Sequence, residues 1–362
     1  MENSFDEIYQ QDIENIAADD SLPWDELDGK TVLVTGATGL LGGMICRALL
    51  HANSVRGIEI GVAAMCRSRE KAERFFGELL DDDSLLLLLA DVTQPFECPV
   101  HVDYIIHGAS ITGSRDFVTR PVDTIDTALT GTENLLRLAV RQQPEGFLYM
   151  SSLEVYGVTD PDKEWIDESC GGYIDPLSVR SSYSESKRMA ENLCVAYCSQ
   201  YGVNARIVRL AQTFGAGVEY NDGRVFAMLA RSVIERRDIV LRTDGSTLRN
   251  YCYLSDAVKA ILIALVRGEN GRAYNIANRD TAVTIREMAE LMCTRYPESG
   301  IKLTFDIAED AGKLGYNPKV VIRLDPSEIE KLGWRPTCGL GEMFDRTIAS
   351  MRLKAPAESV NE

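Results

Sequence analysis

The chain has 362 residues, 45% of them hydrophobic and 26% charged, with a formal net charge of -17, three histidines and nine scattered cysteines. That length leaves room for a large core and two or three domains. The acidic balance argues against a nucleic-acid partner, whose phosphates call for basic patches, and too few histidines and no Cys-x-x-Cys pair remain for a metal centre.

Residues 1–28 form an acidic extension without the features of a leader peptide. Phe5, Ile8, Tyr9, Ile13 and Ile16 fall near helical spacing, so a short amphipathic helix is expected to dock on the body. Asp28-Gly29 turns the chain into a β-branched and aliphatic strand, Thr31 to Thr35. Helices are then expected over 40–51, 69–80, 122–141 and 183–201, and strands over 58–65, 85–89, 101–107, 147–151 and 205–210. The 85–89 strand belongs to the longest aliphatic run, Leu85 to Ala90, which is far too short to cross a bilayer. A reduced, cytoplasmic protein without membrane contacts is the simplest expectation.

Strands alternating with helices of this length call for an α/β fold, a doubly wound parallel sheet covered on both faces, with ligands at the carboxyl ends of its strands. After Leu210 the pattern loosens. Helices are expected over 225–235, 256–266, 284–295 (capped by Thr284), 327–332 and 340–351, and short strands over 239–242 and 273–276. The expected division is an extension (1–28), a dinucleotide-binding domain (29–214, with 247–280 returning to it), a smaller substrate lobe (215–246 and 281–352) and a tail (353–362).

The stretch after the first strand reads Gly36-Ala-Thr38-Gly39-Leu40-Leu41-Gly42. A strand that breaks into a glycine turn and restarts as a helix points free N–H groups and the positive end of a helix dipole at whatever lies above it, which is how a pyrophosphate is gripped. Gly36 permits the turn, Gly39 lets a phosphate approach, and Gly42 lets helix and strand pack closely. The first gap is one residue longer than in Gly-x-Gly-x-x-Gly.

Tyr183 and Lys187, four apart, share one face of their helix. A free tyrosine titrates too high to act as a base near neutrality, and a neighbouring ammonium favours the phenolate. The preceding strand ends in Ser151-Ser152-Leu153-Glu154-Val155-Tyr156-Gly157, which sets hydroxyls at the edge of the cofactor crevice.

Together these motifs resemble an extended short-chain dehydrogenase/reductase of the nucleotide-sugar epimerase/dehydratase family, over about Lys30 to Met351. The resemblance implies a Rossmann-type fold, NAD(P), a nucleoside-diphosphate sugar, and a homodimer built from the 122–141 and 183–201 helices. It makes Ser152 a catalytic hydroxyl, Tyr183 the acid/base and Lys187 its partner on the nicotinamide ribose. Asp91-Val92 resembles the adenine contact, and Gly108-Ala109-Ser110 the strand end along the cofactor. Arg67 and Ser68 stand where NAD-selective members carry an acidic residue, which tilts the expectation towards NADP. Gln212 stands where relatives place an asparagine that touches the nucleotide-sugar phosphates, Arg249 matches an arginine that clamps the diphosphate, and Arg224, before Val225-Phe226, is a further candidate for the same phosphates.

Glu154 has two readings. Similar 4,6-dehydratases and uronate decarboxylases use a glutamate here, which could remove the C5 proton of a 4-keto sugar. Alternatively it only hydrogen-bonds the substrate or the loop. Leu153 replaces the aspartate of glucose-type dehydratases, and the helix around Ala128 departs from the family, which usually has an asparagine just before Gly131-Thr132. The expected reaction is transient oxidation at C4, followed by epimerisation, dehydration or decarboxylation. The rivals are a net NADPH-dependent reductase and a non-catalytic nucleotide sensor.

Overall fold

The computed structural model describes residues 6–307 and 320–356. The extension forms α1 (Glu7–Ala17) and α2 (Trp24–Leu27). Asp6 caps α1 by accepting from the Tyr9 N–H, and Ile13 and Ile16 are buried, as their spacing predicts; Phe5 lies outside the described residues.

The first half then runs β1 (Thr31–Thr35), α3 (Leu40–Arg56), β2 (Gly61–Cys66), α4 (Arg69–Phe76), β3 (Leu85–Leu89), β4 (Tyr104–His107), α5 (Asp116–Thr119), α6 (Pro121–Gln142), β5 (Gly146–Ser152), α7 (Ser182–Tyr201) and β6 (Ala205–Leu210). Boundaries move where backbone chemistry requires it. α3 continues to the left-handed Gly57, and α4 stops at Gly77, whose φ is +55°. α6 starts on Pro121, whose missing N–H costs nothing at a helix start.

The second half contains β7 (Gln212–Phe214), α8 (Val225–Glu235), β8 (Ile239–Leu241), β9 (Leu248–Tyr253), α9 (Leu254–Arg267), β10 (Ala273–Ile276), β11 (Asn278–Thr284), α10 (Ile285–Arg295), β12 (Leu303–Phe305), β13 (Val321–Ile322), α11 (Ser327–Lys331) and α12 (Leu340–Arg352). Thr284 and Glu287 form the capping box of α10.

Seven parallel strands make the main sheet in the order β10-β6-β5-β4-β1-β2-β3. The order in which the chain adds strands reverses between β1 and β4, and a crevice opens at such a switch point. Side chains alternate across the sheet. Val32, Val34 and Ala64 pack on one face with α3 and α9, and Leu33, Ala63, Ile105 and Phe147 pack on the other with α6 and α7. α9 and β10 lie with this sheet, whereas β9 centres a small sheet with β7, β11 and β13. α8, α10 and α12 bury a separate core around Phe214, Phe226 and Phe344.

Candidate active site

The glycine turn sits at the switch point. Gly36 has φ +70°, and a Cβ there would lie 3.1 Å from the Gly108 carbonyl and the Ala109 nitrogen. A Cβ on Gly42 would come within 2.4 Å of the Gly36 carbonyl oxygen, so α3 reaches this close to β1 only with glycine. No side chain caps α3, and its first N–H groups are open to the space above the turn. That space is a cavity of about 1160 Å³. It runs from the turn past Asp91, Val92 and the Gly108-Ala109-Ser110 strand end to Ser152, Tyr183 and Lys187. Thr38, Gly39, Leu40 and Leu41 line it too. A glycine cradle, an uncapped helix start and a cavity of this length fit a dinucleotide.

At the end of the cavity beyond β2, Arg67, Ser68, Lys71, Arg74 and Arg47 line the same space. The Arg67 guanidinium is 70% exposed and 4.0 Å from Asp91. Hydrogen bonds from the Thr93 N–H and hydroxyl hold the Asp91 carboxyl below its ordinary range.

Tyr183 lies on the first turn of α7, its ring stacked on Phe117 with centroids 4.2 Å apart and planes 10° from parallel. Lys187 donates to the Met150 carbonyl at 2.7 Å and stands 4.6 Å over the Tyr149 ring and 5.8 Å from the Tyr183 ring. Burial pushes Tyr183 up to about 12, with the Glu154 charge adding to it and Ser152, Arg180 and Arg224 opposing. Burial pushes Lys187 down to about 8. The ammonium that spacing places beside the phenol therefore does not set its acidity here, because desolvation outweighs every nearby cation.

Ser152 ends β5, and its Oγ accepts from the Glu154 N–H at 3.2 Å. Glu154 is not a free carboxylate. Arg180 grips both of its oxygens at 3.0 Å, and the Ser184 hydroxyl donates to one of them at 3.1 Å. The Arg180 guanidinium in turn lies 4.6 Å over Phe117, on whose ring Tyr183 stacks. Sequence reasoning passed over Arg180 and Phe117. A weak signal for Arg180 was present, a cation one helical turn before Tyr183; Phe117, far along the chain, offered none.

A buried histidine supports the Gly108 strand end. Gly108 and Ala109 N–H groups both donate to Thr35 Oγ1, and Thr132 Oγ1 donates to the Ala128 carbonyl. Thr35 must therefore give its hydroxyl proton to His107 Nδ1, at 2.8 Å, and Thr132 must accept from Nε2–H, at 3.2 Å. This fixes a neutral Nε2–H tautomer. Burial, with the Lys187 charge second, pushes His107 down to about 3. The unfolded ring takes a proton near 6.5. Its contribution to stability is thus complete above about pH 6.5 and lost progressively as pH falls towards 3. In His107→Gln the acid-side slope of stability against pH, read by denaturant titration, should be shallower than in the parent.

On the substrate side, Gln212 and Arg224 line the cavity, with Arg224 clamped by Asp222 and lying 4.7 Å over Phe226. Arg249 is on β9, opposite Val283 and Ile322, and is not among the residues lining the cavity; its Nε is buried without a hydrogen-bond partner. Among the described residues there is no cluster of three or more metal-ligating side chains, and no helix long and apolar enough to cross a membrane.

The model of the NAD dependent epimerase/dehydratase family matches residues 32–277. The chain is 31% identical over 303 residues to UDP-glucuronic acid decarboxylase 6 of Arabidopsis thaliana, covering 81% of this chain and 85% of that protein. It is 30% identical over 344 residues to UDP-glucuronic acid decarboxylase 1 of Xenopus tropicalis, covering 93% and 76%. Among solved structures, UDP-glucuronic acid 4-epimerase from Bacillus cereus, in complex with UDP-glucuronic acid and NAD, superposes with a TM-score of 0.72 at 19% identity, over 89% of this chain and 99% of that one. DesIV, a dTDP-glucose 4,6-dehydratase from Streptomyces venezuelae, gives 0.72 at 22% identity, over 89% and 97%. At such identities the superpositions speak for the shared fold. With the family model spanning most of the chain and the glycine turn, Ser152, Tyr183 and Lys187 gathered on one cavity, this protein belongs to the NAD-dependent epimerase/dehydratase family.

Proposed function

We propose that this protein oxidises C4 of a nucleoside-diphosphate sugar, transforms the 4-keto sugar, and reduces it again before release. The observation that carries the reading is that Ser152, Tyr183 and Lys187 line the same cavity as the glycine turn. A nicotinamide dinucleotide, held by Gly36 to Gly42, Asp91-Val92 and Gly108 to Ser110, supplies the hydride acceptor. Tyr183 takes the C4 hydroxyl proton, Ser152 donates a hydrogen bond to the same oxygen, and Lys187 anchors the ribose and the Met150 strand end. Gln212 and Arg224, which line the cavity, hold the diphosphate, and Arg249, which does not line it, is left out of the site.

Of the three outcomes, decarboxylation of a hexuronate fits best. A C4 ketone lies β to the C5 carboxylate, so the C–C bond can break with its electrons delocalised onto an oxygen that Ser152 and Tyr183 stabilise. Dehydration instead needs a base at C5 and an acid at the leaving hydroxyl. Position 153 is leucine, and protonating Glu154 would forfeit charge-assisted bonds from Arg180. The curated relatives named above are UDP-glucuronic acid decarboxylases, which makes that nucleotide sugar the first to try. Labelled carbon dioxide and a nucleotide pentose, formed without net consumption of added nicotinamide, are expected from carboxyl-labelled UDP-glucuronate. Recovery of an epimer with its carboxylate intact would overturn decarboxylation and leave C4 oxidation standing.

A cluster of Arg67, Lys71, Arg74 and Arg47 is the support for NADP, set against Asp91 and Glu70 on the same cavity, which pair with Arg67 and Arg74. It also supports a second reading, a reductase that consumes one NADPH per keto-sugar, which stoichiometry separates from the first. We also propose a homodimer through α6 and α7, where Val122, Ile125, Met189, Val195 and Tyr201 are exposed.

A further inference from the structure

Part of the cavity wall comes from a segment that no dinucleotide motif includes. Asp6, Tyr9 and Gln10, at the start of α1, line the cavity beside Gly39 and Leu40. The Tyr9 ring forms a wedge against Gly217, in the loop leading to Arg224, and Leu40, the first residue of the helix whose N-terminus faces the cavity, reaches the same glycine. Gly217 has φ +89°, and a Cβ there would lie 2.8 Å from two Tyr9 ring carbons and 3.6 Å from Leu40 Cδ1.

The wedge is tied down at both ends. Asp6 accepts from the Ser350 hydroxyl at 2.5 Å, and that oxygen accepts from the Gly217 N–H at 2.8 Å. One turn further on, buried Asp12 accepts from Arg346 and from the Tyr253 hydroxyl, both at 2.6 Å. Ile13 and Ile16, on the same side of α1 as Tyr9 and Asp12, are buried too, and Arg56 donates to the Ala17 carbonyl at 2.6 Å. The segment thus spans α3 of the dinucleotide half and α12 of the other lobe.

We propose that α1 is a strap over the dinucleotide, with Tyr9 as a positioning residue that holds the 215–224 loop against the glycine turn and slows cofactor release. The inference rests on the proposed dinucleotide site. An enzyme that restores its cofactor within each cycle gains from such retention, since a wall already in place adds no ordering cost on binding.

The test is stopped-flow displacement of bound NADPH from the full-length protein, followed by its fluorescence and run well below the melting temperature. Tyr9→Ala should release the cofactor about tenfold faster, and Tyr9→Phe, which keeps the ring, should restore the parental rate. Ser350→Ala, which cuts the tie between Asp6 and Gly217, should fall between them and keeps the test alive if Tyr9→Ala does not fold. Parental release rates in Ser350→Ala and in folded Tyr9→Ala, with or without lowered melting temperatures, would reduce α1 to a structural brace and overturn the strap. Failure of the parent to bind either NADPH or NADH would overturn the dinucleotide site and the strap together. Binding with unchanged variant rates would overturn the strap alone.

Discussion

Tyr183→Phe is expected to lower turnover by about 10²–10⁴-fold while leaving dinucleotide affinity within about twofold. The substitution removes one oxygen and keeps the ring, so the stack on Phe117 survives and the wall of the cavity keeps its shape. What disappears is the hydroxyl that the proposed mechanism uses to take the C4 proton. The pH dependence carries the same message. Burial holds Tyr183 near 12 in the folded protein, so its proton-accepting form is scarce at neutrality and becomes commoner as pH rises. The parental kcat/KM should therefore climb between about pH 6 and 9, and the residual activity of Tyr183→Phe should not. Equal turnover in the two proteins would remove the acid/base role from Tyr183, whereas unchanged cellular function in a Tyr183→Phe protein without turnover would make a sensor the better account.

Arg180→Met should have the next largest effect. The Arg180–Glu154 pair is bidentate, its side chains are only 18% and 14% exposed, and Ser184 completes it. Removing the guanidinium strands a carboxylate among Phe117, Tyr183 and the β5 end, and breaking such a pair costs about 3–5 kcal/mol. Turnover should drop about 100-fold, because the carboxylate and the Phe117 ring that positions Tyr183 both lose their restraint. Arg180→Met combined with Glu154→Gln should recover much of the stability, since no buried charge is then unpaired, yet little of the turnover. Thermal melting and steady-state kinetics on the three variants check this. If Arg180→Met alone were as stable and as active as the parent, the pair would have no part in holding the site.

The first half of the fold was legible because its signals are local. Five-residue aliphatic strands, glycine at the turn and at the end of α3, and apolar helical stripes each act within a few residues, and a parallel sheet is their joint consequence. The small sheet was less legible. β9 reads Leu-Arg-Asn-Tyr-Cys-Tyr and β11 reads Asn-Arg-Asp-Thr-Ala-Val-Thr with a register shift, so neither shows a clean alternation. Their pairing makes them strands. Arg249 illustrates the consequence, since a motif located it in the chain but not its distance from the cavity lining.

Sequence alone determined the glycine cradle, the Tyr183–Lys187 face and the hydroxyl at Ser152, because each depends on backbone geometry over a span of a few residues. Tertiary structure alone decided what surrounds them. Glu154 meets an arginine 26 positions away, and Asp12 meets one 334 positions away. Tyr9 arrives from the far end of the chain to line the same cavity as the turn and to pack on Gly217 of the 215–224 loop. Such contacts follow from how helices and lobes close on one another, and burial then sets proton affinities that spacing along a helix cannot reveal.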